Sequence, residues 1–249
     1  MTVDPVRFSE VCRRVLCEDH ERANIGTLKE KKQHLILKQY WEPDPLFREV
    51  SYKGFVADIK NEQGIVEIQT SSFGAMRKKL EVFLEDTDVT VVYPVPHIKW
   101  ISWISADGSI SEKKRSPKKY TAGELLPNLI FLRPYLLHPR LHFTVVLLEV
   151  EDYRLLNGWG NGGKRGSSRY ERIPVKLLDI ISIFSPADYQ TLLPFGDDEV
   201  FFASDIQKTL KLSRKRISAA VQVLKHVGAI EMAGKSGNKI FYRYKKTSE

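Results

Sequence analysis

Acidic side chains in two neighbouring apolar runs are the part of this sequence best suited to chemistry. Asp58 lies in the run 55–60, and Glu67 and Gln69 lie in the run 64–70. Because side chains alternate between the two faces of a strand, Glu67 and Gln69 share a face. If the two runs pair as a hairpin, Asp58 and Glu67 converge on one spot. Carboxylate and amide oxygens are the ligands that Mg²⁺ prefers, so this pattern predicts a hard-cation site that binds Mg²⁺ or Mn²⁺.

The elements that must position these residues follow from the apolar periodicity of the first half of the chain. A helix is predicted over 1–23 and another over 28–41, with Thr27 and Glu30 spaced as in a capping box. The further predictions are strands at 47–52, 54–60 and 64–70, a helix at 72–84, and strands at 88–93 and 97–104. The predicted order is therefore helix, three strands, helix and two strands.

The middle of the chain is less regular. A polar connector is predicted at 107–120, a helix at 122–137 bent at Pro127 and Pro134, and a buried strand at 141–150. The Gly-rich stretch 157–166 lacks the strand, the helix and the final Lys-Ser/Thr of a phosphate-binding loop. It is interpreted as a mobile basic loop.

Positive charge is concentrated at the C-terminus. The net charge is +8, and residues 199–249 contain 11 Lys/Arg and 4 Asp/Glu, a net of +7. The other 198 residues are almost neutral. Such asymmetry indicates a nucleic-acid-binding module attached to a neutral body, with a solvated basic face as the alternative.

The C-terminal sixty residues resemble a winged helix-turn-helix domain. Helices are predicted at 204–210 and 214–227, joined by a tight turn and followed by short strands at 229–232 and 239–244. In that fold the second helix reads base edges in the DNA major groove and the hairpin follows the phosphates. The resemblance assigns the first role to the helix start and the second to the hairpin tip: Arg214, Lys215, Arg216 and Ser218, then Lys235 and Lys239. A winged helix used for protein contacts is the alternative.

The central element order, with Asp at the second strand and Glu-x-Gln at the third, resembles the PD-(D/E)xK nuclease superfamily. The Glu-Ile-Gln-Thr-Ser form is similar to its Gln-bearing branch, as in the nuclease-like domain of competence proteins. The resemblance implies that Asp58 and Glu67 hold Mg²⁺, that Glu30 assists, and that Gln69 takes the place of the usual lysine. Gln69 can orient a water but supplies no charge, which leaves Lys60, Lys29 or Lys31 to do so. Residues 26–34, joined to this core, also resemble an uncharacterised family of Gram-positive bacterial cytosolic proteins.

These carboxylates also have simpler structural interpretations. Asp58 can be an ordinary residue at a strand end, and Glu30 can be a favourable charge at a helix start. Glu67 in mid-strand is harder to explain this way, because a buried carboxylate needs a partner.

Composition narrows the class of protein. The sequence has no apolar run of about 18 residues and no recognisable signal peptide, so no membrane partner is expected. Its two cysteines, Cys12 and Cys17, belong to no zinc-spaced cluster, which favours a reduced, cytoplasmic protein.

The expected fold class is α/β (α+β): a restriction-endonuclease-like mixed sheet flanked by helices, followed by a winged helix. The expected domains are a helical extension at 1–24, a nuclease-like domain at 25–180 and the winged helix at 185–249. The expected function is Mg²⁺-dependent hydrolysis of DNA, and the alternative is a catalytically inactive, regulatory DNA-binding protein. A homodimer fits the first, since paired active sites cut duplexes.

Overall fold

The computed structural model describes residues 3–21, 31–70, 72–159 and 165–246. It is a mixed α/β structure with a large mixed sheet flanked by helices, so the predicted α/β (α+β) class is confirmed at this level of detail. Within the described residues, no helix is both long and apolar enough to cross a membrane.

The chain forms two compact units, and each unit combines three segments that are separated in the sequence. Unit 1 comprises Met1–Arg48, Pro96–Lys119 and Val146–Ile180. Unit 2 comprises Glu49–Val95, Tyr120–Val145 and Ile181–Glu249. The C-terminal segment thus clusters with central parts of the chain.

Among the described residues, the large sheet contains seven strands in the order β1-β2-β3-β4-β6-β7, with β5 paired to β4. Strand β2 is antiparallel to β3, whereas β3 is parallel to β4. The strands are β1 (Arg48–Tyr52), β2 (Phe55–Asn61), β3 (Gly64–Ile68), β4 (Val89–Ile104), β5 (Lys114–Arg115), β6 (Leu141–Trp159) and β7 (Arg165–Ile183).

Helices α1 (Pro5–Glu21) and α2 (Lys32–Trp41) pack together in unit 1. The rings of Phe8 and Tyr40 meet edge to face with centroids 5.3 Å apart. Helix α2 ends just before Pro43, as predicted, because proline disfavours a helical residue in front of it. The predicted capping residues Thr27 and Glu30 lie outside the described residues.

The connection from β3 to β4 carries a 3₁₀ turn (Phe73–Met76) and helix α3 (Arg77–Phe83). Phe73, Leu80 and Phe83 are fully buried, as the apolar period predicted. Gly64 is needed where β3 begins, because its φ is +123° and an added Cβ would lie 2.5 Å from the carbonyl oxygen of Asp88.

Residues Ala122–Tyr135 form a 3₁₀ segment instead of the predicted bent α-helix. Pro127 and Pro134 each remove a backbone donor, which breaks the α-helical hydrogen-bond ladder. The segment is nevertheless part of the core, since four of its leucines are inaccessible to solvent: Leu125, Leu126, Leu129 and Leu132.

The C-terminal elements also lie in unit 2. Helices α4 (Ala203–Leu210) and α5 (Arg214–His226) are joined by a turn in which Lys211 has a positive φ of 52°. A three-stranded antiparallel sheet in the order β8-β10-β9 accompanies them. Its strands are β8 (Phe201–Phe202), β9 (Ile230–Ser236) and β10 (Lys239–Tyr244).

Three long strands differ from the prediction. The expected strands at 88–93 and 97–104 form one strand, β4, which continues through Pro94 beyond Val92, the last residue that pairs with β3. Strand β6 extends to Trp159, and β7 was not predicted. The interpretation of 157–166 as a loop is wrong at its two ends, which belong to β6 and β7 and are joined by a hydrogen bond between Asn157 and Ser168, while residues 160–164 lie outside the described residues.

Candidate functional sites

The structure brings the predicted carboxylates Asp58 and Glu67 together. Strand β2 pairs with β3 through Ile59↔Val66 and Lys60↔Ile65, so Asp58 and Glu67 directly adjoin the last pair of this ladder. The backbone N–H of Asp58 donates to Oε1 of Glu67 over 3.3 Å. The Asp58 carboxylate in turn accepts from the backbone N–H of Ile68 over 2.7 Å. These two hydrogen bonds hold the two acidic residues side by side at the end of the β2–β3 ladder.

A lysine that was not predicted completes this cluster. The Lys79 ammonium donates to Oε2 of Glu67 over 2.9 Å and to Oε1 over 3.1 Å. The side chain of Glu67 is only 7% exposed and that of Lys79 is 26% exposed. The Asp58–Glu67–Lys79 cluster is thus a partly buried group of two carboxylates and one ammonium.

Lys79 reaches the carboxylates because α3 covers the sheet. The helix connects parallel strands β3 and β4, and its buried residues Leu80 and Phe83 face the core. Lys79 lies beside these residues on the helix, at the margin of the buried stripe. A parallel pair joined by a helix is the sequence signal that could have placed a lysine of 72–84 above Glu67.

The surroundings of Glu67 disfavour the ionised form of its carboxyl group. Burial and the negative charge of Asp58 raise the pKa of the Glu67 carboxyl above 4.5, although the hydrogen bonds and charge of Lys79 act in the opposite direction. A carboxyl with a raised pKa beside a second carboxylate is an arrangement found at acid–base and metal sites, and also in structural ion pairs.

The side chain of Gln69 is hydrogen-bonded outside the Asp58–Glu67–Lys79 cluster. Its amide nitrogen donates to the carbonyl oxygen of Ser72 over 2.6 Å, at the start of the 3₁₀ turn before α3. Its backbone N–H donates to the carbonyl oxygen of Val92 over 2.9 Å. The side-chain amide therefore holds the β3–α3 turn.

The other residues predicted for this site have different positions. The Lys60 ammonium lies 4.7 Å from the centre of the Tyr52 ring. Glu30 and Lys29 lie outside the described residues. Within the described ranges, no group of three His, Cys, Asp or Glu side chains is close enough to hold a metal ion.

Unit 1 contains a buried ion pair that the sequence did not indicate. The Arg172 guanidinium donates from two nitrogens to the two carboxylate oxygens of Asp152 over 2.5 and 2.9 Å. Burial alone would raise the pKa of Asp152, but Arg172, with the charges of Arg169 and Lys99, outweighs it and lowers that pKa. The pair links β6 to β7, so its evident role is structural.

Helix α5 exposes one polar, cationic face. Arg214, Lys215, Ser218, Gln222 and Lys225 are exposed and follow one another at helical spacing, and they are called the α5 strip. The amide of Gln222 donates to the hydroxyl of Ser218 over 3.3 Å. Three of the four residues predicted for this helix are on the strip, and the structure adds Gln222 and Lys225.

Arg216, the fourth predicted residue, points away from the strip. One guanidinium nitrogen lies 2.7 Å from Oε2 of Glu124, and another donates to the Glu124 carbonyl oxygen over 3.3 Å. Glu124 is buried in the 3₁₀ segment 122–135. Arg216 therefore ties α5 to that segment.

The β9–β10 hairpin presents the two lysines predicted for its tip. Ser236 pairs with Lys239 across a two-residue turn, in which Gly237 has a φ of 58°. Lys235 and Lys239 are both exposed. The hairpin and the α5 strip belong to the same compact unit.

Comparison with known proteins places the central part of the chain in a family. Residues 31–184 match the family described as Domain of unknown function (DUF8091). The chain belongs to this family. The DUF8091 region includes the Asp58–Glu67–Lys79 cluster and the Asp152–Arg172 pair, and it ends before α4 and α5.

A relative comes from Treponema pallidum (strain Nichols), where it is described as an uncharacterized protein. It is 31% identical over 162 residues, which cover 64% of this chain. The match spans 62% of the relative's own length. No solved structure matches the chain.

Proposed function

We propose that this protein binds duplex DNA and hydrolyses phosphodiester bonds with the help of Mg²⁺ at the Asp58–Glu67–Lys79 cluster. The observation that carries the proposal is the contact between Asp58 and Glu67 where the β2–β3 ladder ends, with Lys79 on both oxygens of Glu67. The order α2, β1, β2, β3, α3, β4 agrees with the order expected from the resemblance to PD-(D/E)xK nucleases.

The donor set of the cluster suits a hard cation. Asp58 and Glu67 offer carboxylate oxygens, which are the ligands that Mg²⁺ prefers. The raised pKa of Glu67 reflects a buried negative charge beside Asp58, and a divalent cation would favour its ionised form. Asp58 and Glu67 would hold the metal, which would lower the pKa of a bound water and neutralise charge on the scissile phosphate.

Lys79 has the charge that Gln69 lacks. Its ammonium is hydrogen-bonded to Glu67, and the side chain is partly exposed to solvent. The ammonium can therefore also bind a phosphate oxygen that approaches from the solvent side. Gln69 holds the turn that leads into α3, which carries Lys79. In this proposal the lysine role belongs to Lys79, and Gln69 positions the helix that bears it.

The DNA-binding part of the proposal rests on the α5 strip and the hairpin lysines. Arg214, Lys215 and Lys225 are exposed cations on one helix face, and Lys235 and Lys239 are exposed on the hairpin. Cations on such a surface release condensed counterions when they contact phosphates. Arg214, Ser218 and Gln222 have side chains that hydrogen-bond base edges in a major groove.

A cleavage assay with Mg²⁺ or Mn²⁺ on single-stranded and duplex DNA and RNA tests the catalytic part. We expect Glu67→Gln, Asp58→Asn and Lys79→Met each to abolish cleavage and to retain DNA affinity. Glu62→Gln is the matched control, because Glu62 is an exposed carboxylate in the β2–β3 turn. Absence of cleavage by the wild-type protein on every substrate would overturn the catalytic proposal.

A second function, a catalytically inactive DNA-binding regulator, is favoured by the hydrogen bonds of the cluster. Both oxygens of Glu67 are used by Lys79, and the Gln69 amide is used by Ser72. In this case the wild-type protein binds DNA and cuts nothing. Gln69→Lys separates the two functions further, since a second ammonium, just after β3, should raise cleavage only where a metal-dependent reaction already occurs.

A further inference from the structure

We propose that the basic segment 113–119, presented at the sheet edge in unit 1, is a second surface for the phosphate backbone of nucleic acid. This inference rests on the proposed DNA binding and adds a contact outside the C-terminal elements. Residues 113–119 contain five Lys/Arg and no Asp/Glu. All five basic residues are exposed: Lys113, Lys114, Arg115, Lys118 and Lys119.

The distribution of charge sets this segment apart from the rest of the chain. Residues 113–119 carry +5 and residues 199–249 carry +7, while the whole chain carries +8. The remainder of the chain is therefore at −4. Two segments therefore carry a net positive charge that the rest of the chain does not, and a polyanion is the class of partner that both would attract.

The segment is fixed to the sheet. Strand β5 pairs antiparallel with β4 through Trp100↔Arg115 and Ile101↔Lys114. The backbone N–H of Ser116 donates to the carbonyl oxygen of Lys99 over 2.8 Å. A segment held in this way loses less conformational entropy on binding than a free tail would.

The basic side chains of this segment are placed where they could contact the phosphate backbone of a nucleic acid. Neighbouring residues on a strand point to opposite faces, so Lys114 and Arg115 project on either side of the sheet edge. Lys113 is held 2.7 Å from Glu151, which neutralises one of the charges. Lys114, Arg115 and Lys119 are the residues expected to contact phosphate oxygens.

Lysines at a sheet edge also prevent unwanted strand pairing, and that is the competing explanation. It predicts no effect on nucleic-acid binding. The two explanations therefore differ in a measurable quantity, the number of counterions that the protein releases when it binds DNA.

The test is a fluorescence anisotropy titration of the full-length protein with a DNA duplex at several salt concentrations. We expect the triple variant Lys114→Gln, Arg115→Gln, Lys119→Gln to make the negative slope of log affinity against log salt shallower by about 2 to 3, at about 0.9 per phosphate contact. The control triple variant, Arg13→Gln, Lys78→Gln, Lys176→Gln, removes the same charge from exposed positions elsewhere.

The outcomes distinguish this inference from the proposed function. If the wild-type protein binds DNA and the edge variant keeps the slope of the control, the edge segment makes no contact and the inference fails alone. If the wild-type protein does not bind DNA, both proposals fail. A shallower slope in the edge variant than in the control, with an unchanged thermal unfolding midpoint, supports the second surface.

Discussion

Glu67 is a carboxylate that folding makes harder to ionise. Because its pKa is raised in the folded state, the folded protein binds a proton more readily than the unfolded chain does. The free energy of unfolding should therefore fall as the pH rises from the ordinary value of 4.5 to the raised pKa. At pH values below 4.5 and above the raised pKa, Glu67 should not make the free energy of unfolding depend on pH.

We expect Glu67→Gln to lose this pH dependence, since glutamine has a similar shape and does not titrate. The measurement is urea unfolding at a series of pH values on both sides of 4.5. Glu62→Gln, in the exposed turn, should keep the wild-type profile. An unchanged profile in Glu67→Gln would show that another group is responsible.

Asp152 has the opposite character, because Arg172 stabilises its charged form. Asp152→Asn should lower the free energy of unfolding by about 3–5 kcal/mol, since it leaves the mostly buried Arg172 without its counter-charge. Chemical denaturation near neutral pH measures the loss. The control is Asp198→Asn, which breaks an exposed ion pair with Lys246 and should change stability little. Equal effects of the two substitutions would contradict a stabilising role for the buried pair.

At the scale of elements, the contact between α4 and the 3₁₀ segment 122–135 is unusually close. A Cβ placed on Gly123 would lie 2.5 Å from Cδ2 of Leu210, whose side chain is buried. Gly123→Ala should therefore force the elements apart and destabilise the protein by about 1–3 kcal/mol.

Thermal and chemical unfolding of Gly123→Ala test this contact. Gly74→Ala is the matched control, because the nearest atom to its new Cβ would be the Ser72 hydroxyl oxygen at 3.7 Å, an ordinary distance. If Gly123→Ala is as stable as the control, α4 can move away from the segment without cost.

The elements that sequence alone predicted are those with a clear local pattern. Helix α3 has apolar residues at helical spacing, and β2 and β3 are short runs bounded by turns. Strand β7 was missed because charged residues such as Arg169, Glu171 and Arg172 interrupt its apolar pattern. What stabilises β7 is its pairing with β6, which the local sequence does not encode.

In the candidate site, too, the residues related by local sequence could be predicted, and those related by tertiary packing could not. Asp58 and Glu67 could be predicted because both adjoin the paired residues of one short hairpin. Lys79 and the partner of Arg216 could not, since each contact depends on how a helix packs on an element distant in sequence. Gln69 was predicted from its face on the strand, and its bond to Ser72 depends on a turn beyond that strand.

At the scale of the whole molecule, the C-terminal helices share a core with the middle of the chain. Residues Ile181–Glu249 cluster with Glu49–Val95 and Tyr120–Val145 in unit 2. Arg216 and His226 on α5 contact Glu124 and Arg133 of the 3₁₀ segment. The segment therefore runs along the length of α5.

Deleting residues 199–249 should consequently damage the rest of unit 2. The deletion removes the cover of the 3₁₀ segment and leaves buried Glu124 without Arg216. We expect residues 1–198 to unfold without cooperativity and to bind a hydrophobic dye, as measured by circular dichroism and fluorescence. Cooperative unfolding at the wild-type midpoint would instead show that 199–249 is an independent module.

The shared core also sets an order of events during synthesis. Glu124 and Arg216 are 92 residues apart, so the ribosome completes the 3₁₀ segment well before the helix that covers it. At about 5–20 residues per second, the interval is roughly 5–18 seconds. During that time the leucines of the segment lack their final partner, and the nascent chain offers a binding site for chaperones.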